Sequence, residues 1–284
     1  MNDVINNNPN LKPFLKWPGG KRQLLPELKK YMPVNYKRYF EPFVGAGAML
    51  FDLQPKGAMI NDYNTELINC YRVIRSAPDR LIEILNTFKN NESFYYQLRS
   101  YNPVSLIEQA ARTIFLNKTC FNGLYRLNSK GQFNASYGFY KNEFKPDTET
   151  IQAASQYLNQ KEIFILNQDF SSVVLYAQAG DFVYFDPPYD VISKTANFTG
   201  YTSTGFTRDD QIRLHQAAIK LTENGISVMI SNSNTEFIDG LYSDPMWHIH
   251  EIQAKRNINC DGAGRGKVTE LIVTNYSHYK EAAA

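Results

Sequence analysis

The stretch Asp181-Phe-Val-Tyr-Phe-Asp-Pro-Pro-Tyr-Asp190 constrains this chain more than any other. Phe182–Phe185 is an unbroken apolar run of aromatic and β-branched side chains, which reads as a strand buried on both faces of a parallel sheet. The strand must stop at Asp186, because Pro187 and Pro188 cannot donate ladder hydrogen bonds and hold the chain extended. One carboxylate (Asp186), one fixed carbonyl (Pro187) and one aromatic ring (Tyr189) are thereby predicted at the carboxyl end of a sheet strand. In open α/β sheets this edge is where ligands bind. Asp-Pro-Pro is also an ordinary way to end a strand, so the rest of the chain decides between the two readings.

Tyr39-Phe-Glu-Pro-Phe-Val-Gly-Ala-Gly-Ala48 reads as a short strand, a glycine turn and a helix start, and Gly57-Ala-Met-Ile-Asn-Asp62 as the next strand. This order opens a nucleotide-binding α/β fold. The turn lacks the third glycine of the dinucleotide fingerprint, which favours a nucleoside without a demanding phosphate. Asp62, at the end of the second strand, suits the two hydroxyl donors of a ribose. The plain alternative is a tight packing turn and a helix-capping Asp. In Lys16-Trp-Pro-Gly-Gly-Lys21, the glycines admit close backbone approach, Lys21 can neutralise a carboxylate, and Trp17 can cover an apolar or cationic group.

From Thr65 to about Gln160 the apolar spacing turns helical, as in Leu67, Ile68, Tyr71 and Ile74. Within it lies a polar, glycine-punctuated stretch, 117–142, whose Asn128-Ser-Lys-Gly-Gln132 predicts a hairpin turn. Glu162–Leu166 returns to strand. Thr207-Arg-Asp-Asp210 supplies a capping signal for a helix running to Gly225, and Ile226–Ser231 is a further strand. Trp247–Gln253 and Thr269–Asn275 read as a closing pair, joined by a basic, glycine-rich linker. The organisation is therefore α/β over residues 12–64 and 161–278, with a helical insert over 65–160 that carries the hairpin or loop 117–141.

A net charge of +2 falls short of an overtly basic nucleic-acid binder, so an anionic partner must be met by a local patch. Cys70, Cys120 and Cys260 lack metal or disulfide spacing, and the four His form no metal pattern. No run approaches membrane-spanning length, and the amino terminus has no signal-like apolar core. A cytoplasmic protein without metal is expected.

Taken together, Lys16–Lys21, Glu41–Gly47, Asn61-Asp62, Phe121-Asn-Gly-Leu-Tyr-Arg126 and Asp186-Pro-Pro-Tyr189 resemble the Dam-type DNA adenine-N6 methyltransferases, with the DpnII-type modification methylases especially similar. The likeness runs in one collinear order from about Phe14 to Tyr276. It implies a Rossmann-like methyltransferase fold, mainly parallel with an antiparallel closing strand, and S-adenosylmethionine as cofactor, with S-adenosylhomocysteine as product. By this resemblance Trp17 and Lys21 border the methionine moiety, Asp62 takes the ribose hydroxyls, Asp169 and Phe170 flank the adenine ring, and Asp186 stands where cofactor and target base meet. Leu124 and Arg126 then touch bases of a GATC-like site, while Lys118 and Ser136 belong to the same DNA-facing stretch.

Chemistry explains the motif. An exocyclic amine on adenine is a poor nucleophile because its lone pair is delocalised into the ring. If Asp186 and the Pro187 carbonyl accept its two N–H bonds, the lone pair is aimed at the sulfonium methyl, with no covalent enzyme intermediate. Pro188 keeps that carbonyl in place and Tyr189 stacks on a base that has left the duplex. Phe198–Tyr201 and Phe206 are candidates for closing over it, Ser231 and Asn232 for lining the pocket, and Lys255, Arg256, Arg265 and Lys267 for phosphate contacts.

The chain departs from the family pattern at Ser136, where a proline is expected, and at Phe139, where an arginine is expected. The expected partners are duplex DNA and, without direct contact, a restriction endonuclease of the same system; a monomer is expected. The rival readings are adenine methylation at another short site, cytosine-N4 methylation, RNA or protein-amide methylation on the same fold, a catalytically silent DNA-binding regulator, and a nicotinamide oxidoreductase. Asp186 favours adenine over cytosine, and the insert favours DNA. The silent regulator predicts loss of Asp186, Lys21 or Asp62, all present. The oxidoreductase gives Asp-Pro-Pro-Tyr no role.

Overall fold

The computed structural model describes residues 8–17, 19–190, 205–255 and 267–277. Its strands are β1 (Tyr39–Glu41), β2 (Ala58–Asn61), β3 (Ile163–Leu166), β4 (Phe182–Phe185), β5 (Ser227–Ser233), β6 (His248–Lys255) and β7 (Lys267–Thr274). Its α-helices are α1 (Leu25–Leu28), α2 (Ala48–Leu53), α3 (Thr65–Ser76), α4 (Pro78–Asn86), α5 (Glu92–Ser100), α6 (Leu106–Thr119), α7 (Thr148–Leu158), α8 (Phe170–Val173), α9 (Arg208–Glu223) and α10 (Glu236–Leu241).

The strands form one seven-stranded sheet in the order β3-β2-β1-β4-β5-β7-β6. β1 pairs in parallel with both β2 and β4, and β7 runs antiparallel to β5 and β6. This is a mostly parallel, Rossmann-like sheet with an antiparallel closing strand, as the sequence leads one to expect. The chain reverses its winding direction between β1 and β4, so the carboxyl ends of those two strands flank the topological switch point, where such sheets bind ligands.

Alternation along β4 explains its wholly apolar sequence. Phe182 and Tyr184 enter one core with Tyr39 and Ile60, while Val183 and Phe185 enter the opposite core with Phe40, Val228 and Leu214. Both faces are covered, so no position of β4 is free to be polar. The first core continues without a break into the helical stretch, through Leu67, Tyr71, Leu81, Phe115 and Tyr157. The second core is closed by α9, whose start is a complete capping box between Thr207 and Asp210.

Where strands and helices were expected they occur, with differences at the ends. The segment around Leu24, Leu25 and Leu28 is a single α-turn between two 3₁₀ turns, and Pro26 stands inside its first turn. Phe198–Tyr201, Arg256 and Arg265 lie outside the described residues, as do the side chains of Lys255 and Lys267. No described helix is long and apolar enough to cross a membrane.

Candidate active site

Asp186 follows directly on β4, and its Oδ1 lies 3.0 Å from the Lys21 ammonium, which is itself almost fully buried. The ammonium also sits 4.2 Å from the centre of the Tyr189 ring and donates to the Gly19 carbonyl at 3.2 Å. Lys21, expected to meet a cofactor carboxylate, is thus held here by the motif it was expected to adjoin. Burial pushes the Asp186 carboxyl up to about 6; Lys21 pulls it back and Glu270 pushes it further.

Acids crowd this edge of the sheet. Glu41 ends β1 with its side chain buried, and burial holds its carboxyl well above the usual range, with Asp186 and Asp62 adding to that push. Glu41 Oε2 and Asp186 Oδ1 are both buried acceptors without an aligned hydrogen bond among the described residues. Asp186 Oδ1 is held by charge, through Lys21, and buried acids at the two strand ends flank the switch point. Sequence reading used Glu41 only to mark the glycine turn; an acid immediately before that turn, at the end of a buried strand, was the available signal.

The glycine turn itself is an internal structure. Gly45 and Gly47 have φ of 50° and 73°, the left-handed region that other residues avoid. A Cβ on Gly47 would lie 2.7 Å from the Tyr71 hydroxyl, and one on Gly45 would lie 3.1 Å from the Trp17 ring. Asp62 closes the turn: its Oδ2 accepts the Gly45 N–H at 3.1 Å and its Oδ1 accepts the Asn64 N–H at 2.9 Å. A carboxylate offers about four acceptor positions, so after these N–H groups Asp62 can still accept from a ribose hydroxyl. Burial pushes Asp62 up to about 6, against the three backbone N–H groups it receives.

Asp169 caps α8 through Ser171 and pairs with Arg213 at 2.8 Å, which helps to hold its carboxyl below the usual range against the opposing effect of burial. Phe170 is buried against Phe43 and Phe206, 5.3 and 6.0 Å between ring centres. Ser231 and Asn232 prove to be internal ties rather than pocket lining. Ser231 bonds the Tyr184 hydroxyl, and Asn232 is wholly buried, donating to Gln211 at 3.0 Å and accepting the Asp190 N–H at 3.2 Å. Gln211 in turn donates to the Pro188 carbonyl at 2.9 Å. Asp190 is gripped by Arg208, Ser233 and Thr235. The whole Pro-Pro-Tyr-Asp segment is thereby bolted to β5 and α9.

The stretch 117–141 is built differently. Its hairpin is present: Asn128 and Gln132 close the turn at 2.8 Å, and Leu127 and Phe133 form a bridge. Arg126 is exposed, and Asn134 orients its guanidinium through contacts of 2.8 and 3.1 Å, leaving further N–H donors free. Leu124 is half-buried beside it, and the carbonyl of exposed Ser136 accepts the Phe121 N–H. Lys118 lines a cavity of about 290 Å³ together with Lys16, Tyr140, Lys141 and Lys145. Burial pushes its ammonium down; Asp147 opposes this, and Lys16, Lys12 and Arg22 add to it. Asn117, at the end of α6, exchanges two hydrogen bonds with the Lys16 backbone at 2.8 and 2.7 Å. Trp17 packs on Tyr125, 4.6 Å between ring centres. These contacts join the cofactor-side loop to the reading stretch.

The model of the D12 class N6 adenine-specific DNA methyltransferases matches residues 17–258. The type II methyltransferase M1.LlaDCHI of Lactococcus lactis subsp. cremoris is 47% identical over 286 residues, covering 98% of this chain and all of the relative. M.MjaIII, a type II methyltransferase of Methanocaldococcus jannaschii, is 42% identical and covers 94% of this chain and 99% of its own. A DNA adenine methylase of Vibrio cholerae is 34% identical over 95% of this chain and 98% of its own.

Proposed function

This chain belongs to the D12 class of N6 adenine-specific DNA methyltransferases, and from that premise we propose that it methylates adenine within GATC in duplex DNA after drawing the target base out of the helix. The activity is S-adenosylmethionine-dependent N6-adenine methylation of DNA at a specific site. The exposed Arg126 guanidinium, able to read guanine, supports GATC, and similarity to DNA adenine methylases and type II enzymes alike fits a restriction–modification or stand-alone setting. The DpnII-type likeness rests on the collinear order of the motifs from about Phe14 to Tyr276.

The residues present fit the cofactor. S-adenosylmethionine carries an ammonium and a sulfonium, and buried acids, Glu41, Asp62 and Asp186, stand at the switch point beside the one buried ammonium there, Lys21. In this reading Asp62 holds the ribose, Trp17 and Lys21 border the methionine portion, and Asp169 and Phe170 flank the adenine. Bound cofactor supplies an electrophilic methyl group.

The observation that carries the mechanism is Asp186 Oδ1, a buried acceptor at the end of β4 next to the Tyr189 ring. Asp186 and the Pro187 carbonyl accept the two N6–H bonds, and Tyr189 stacks on the base. Pro188 keeps the motif extended, and its carbonyl is tied to Gln211. Stacking returns about 1–3 kcal/mol of the unstacking cost. Arg126 reads guanine bidentately, with Leu124 and Ser136 beside it and Lys118 on phosphate.

The test uses tritiated S-adenosylmethionine with duplexes containing GATC, its single-base variants, or no adenine. Label recovered as N6-methyladenine from GATC alone is the expected result. Label spread over other adenine sites keeps the activity and moves the specificity to Ser136 and Phe139. An absence of DNA label with retained cofactor binding overturns the proposal.

A further inference from the structure

Glu270 is a buried acid to which the mechanism above gives no part. It lies on β7, opposite Ser233 of β5, and its side chain is 8% exposed. Its Oε2 accepts the Tyr189 hydroxyl at 2.9 Å. Burial and the neighbouring Asp186 and Glu270 carboxylates raise the Tyr189 hydroxyl well above its usual range, so it remains a donor at neutral pH.

A second acid this close to Asp186 works against keeping Asp186 ionised, since it raises that carboxyl. Burying a carboxylate here is therefore unfavourable on electrostatic grounds and calls for a compensating role. The surrounding contacts indicate what that role is. The Pro188 carbonyl is held by Gln211 and the Asp190 N–H by Asn232, so the backbone on each side of Tyr189 is fixed. The Tyr189 ring itself is held from two sides: the Lys21 ammonium lies over its face, 4.2 Å from its centre, and the hydroxyl bond to Glu270 fixes its far end.

We propose that Glu270 is the positioning residue that anchors the hydroxyl end of the Tyr189 ring, and so holds the ring in place for capture of the target adenine. The inference rests on the reading of Tyr189 as the stacking ring. It explains why the antiparallel closing strand enters the catalytic edge at all: β7 carries the acceptor that the parallel strands do not supply.

The experiment compares kcat/KM for a GATC duplex, together with Tm, in Glu270→Ala, Glu270→Gln, Tyr189→Phe, Tyr189→Ala and the Tyr189→Phe/Glu270→Ala pair. Losing the one hydrogen bond should lower kcat/KM about tenfold in either Glu270→Ala or Tyr189→Phe, with the double variant within about twofold of the singles. Glu270→Gln keeps an acceptor and should stay within about threefold of the parent. Losses that multiply in the double variant, or wild-type activity in Glu270→Ala, overturn the inference. If Glu270→Ala does not fold, Tyr189→Phe against Glu270→Gln carries the comparison, and equal activity in those two overturns it. Tyr189→Ala separates the premise: full activity there removes the stacking reading itself, whereas impaired Tyr189→Ala beside active Tyr189→Phe removes only Glu270.

Discussion

The strand edge that holds Asp186 and the loop that carries Arg126 are built by different means. At the edge, each chemical group is placed by the end of a strand: Glu41 by β1, Asn61 and Asp62 by β2, Asp186 by β4. Side chains buried in two cores fix those strands, and the polar ties around them are short and mostly internal. The loop has isolated bridges rather than a ladder, and it is held from behind by side chains of α5 and of the segment that precedes it. Asn90 grips it three times, donating to the Tyr140 and Asn142 carbonyls at 3.1 and 2.6 Å and accepting the Tyr137 hydroxyl at 3.0 Å. Tyr95 and Arg99 both donate to the Ala135 carbonyl. A site anchored by strands keeps its chemistry, while a loop anchored at its backbone can change its outward side chains without losing its shape.

Breaking the edge should have the largest effect. Asp186→Ala removes the acceptor for the attacking amine, and methyl transfer should fall by about 10²–10³-fold or more, measured with labelled cofactor. DNA binding should remain within tenfold by filter binding or anisotropy, because Asn90, Tyr95 and Arg99, which hold the loop, do not touch Asp186.

An intermediate effect is expected from Lys21→Met, and it is sharpest as a pH profile. Transfer needs an ionised Asp186, so activity should be lost as pH falls through about 6. Lys21 lowers the Asp186 pKa, and removing it raises that pKa; the acid limb of kcat should therefore move to higher pH. An unshifted limb would mean that Asp186 does not control it.

The smallest effect belongs to the loop's support. Asn90→Ala removes three hydrogen bonds, and duplex affinity should weaken by roughly tenfold while cofactor affinity stays unchanged, both read by titration. An equal loss in cofactor binding would show that the two regions are coupled more tightly than their construction implies.

Much of the fold was legible in local signals. Phe182–Phe185 announced a doubly buried strand, Pro187 and Pro188 its end, and Thr207 with Asp210 the start of α9, each within a few residues of chain. Asp62 was legible as a strand-end acid, but its second task, closing the glycine turn, depends on where Gly45 arrives in space. Ser231 and Asn232 were misread because polar residues at a strand end look the same whether they face a ligand or, as here, Tyr184 and Gln211. Asn90 and Glu270 gave no signal at all: Asn90 looks like a turn residue and Glu270 like an exposed acid on a closing strand.

By itself the sequence determined the sheet, its ligand-binding edge and the residue types delivered there, because hydrophobic periodicity, proline and glycine act over a turn or a strand. Only the tertiary structure decided which of those groups meet. Glu270 lies 81 residues from the Tyr189 it orients, and Asn90 lies 47 from the Tyr137 it holds. Such pairs are chosen by strand order and core packing, and no local pattern encodes them.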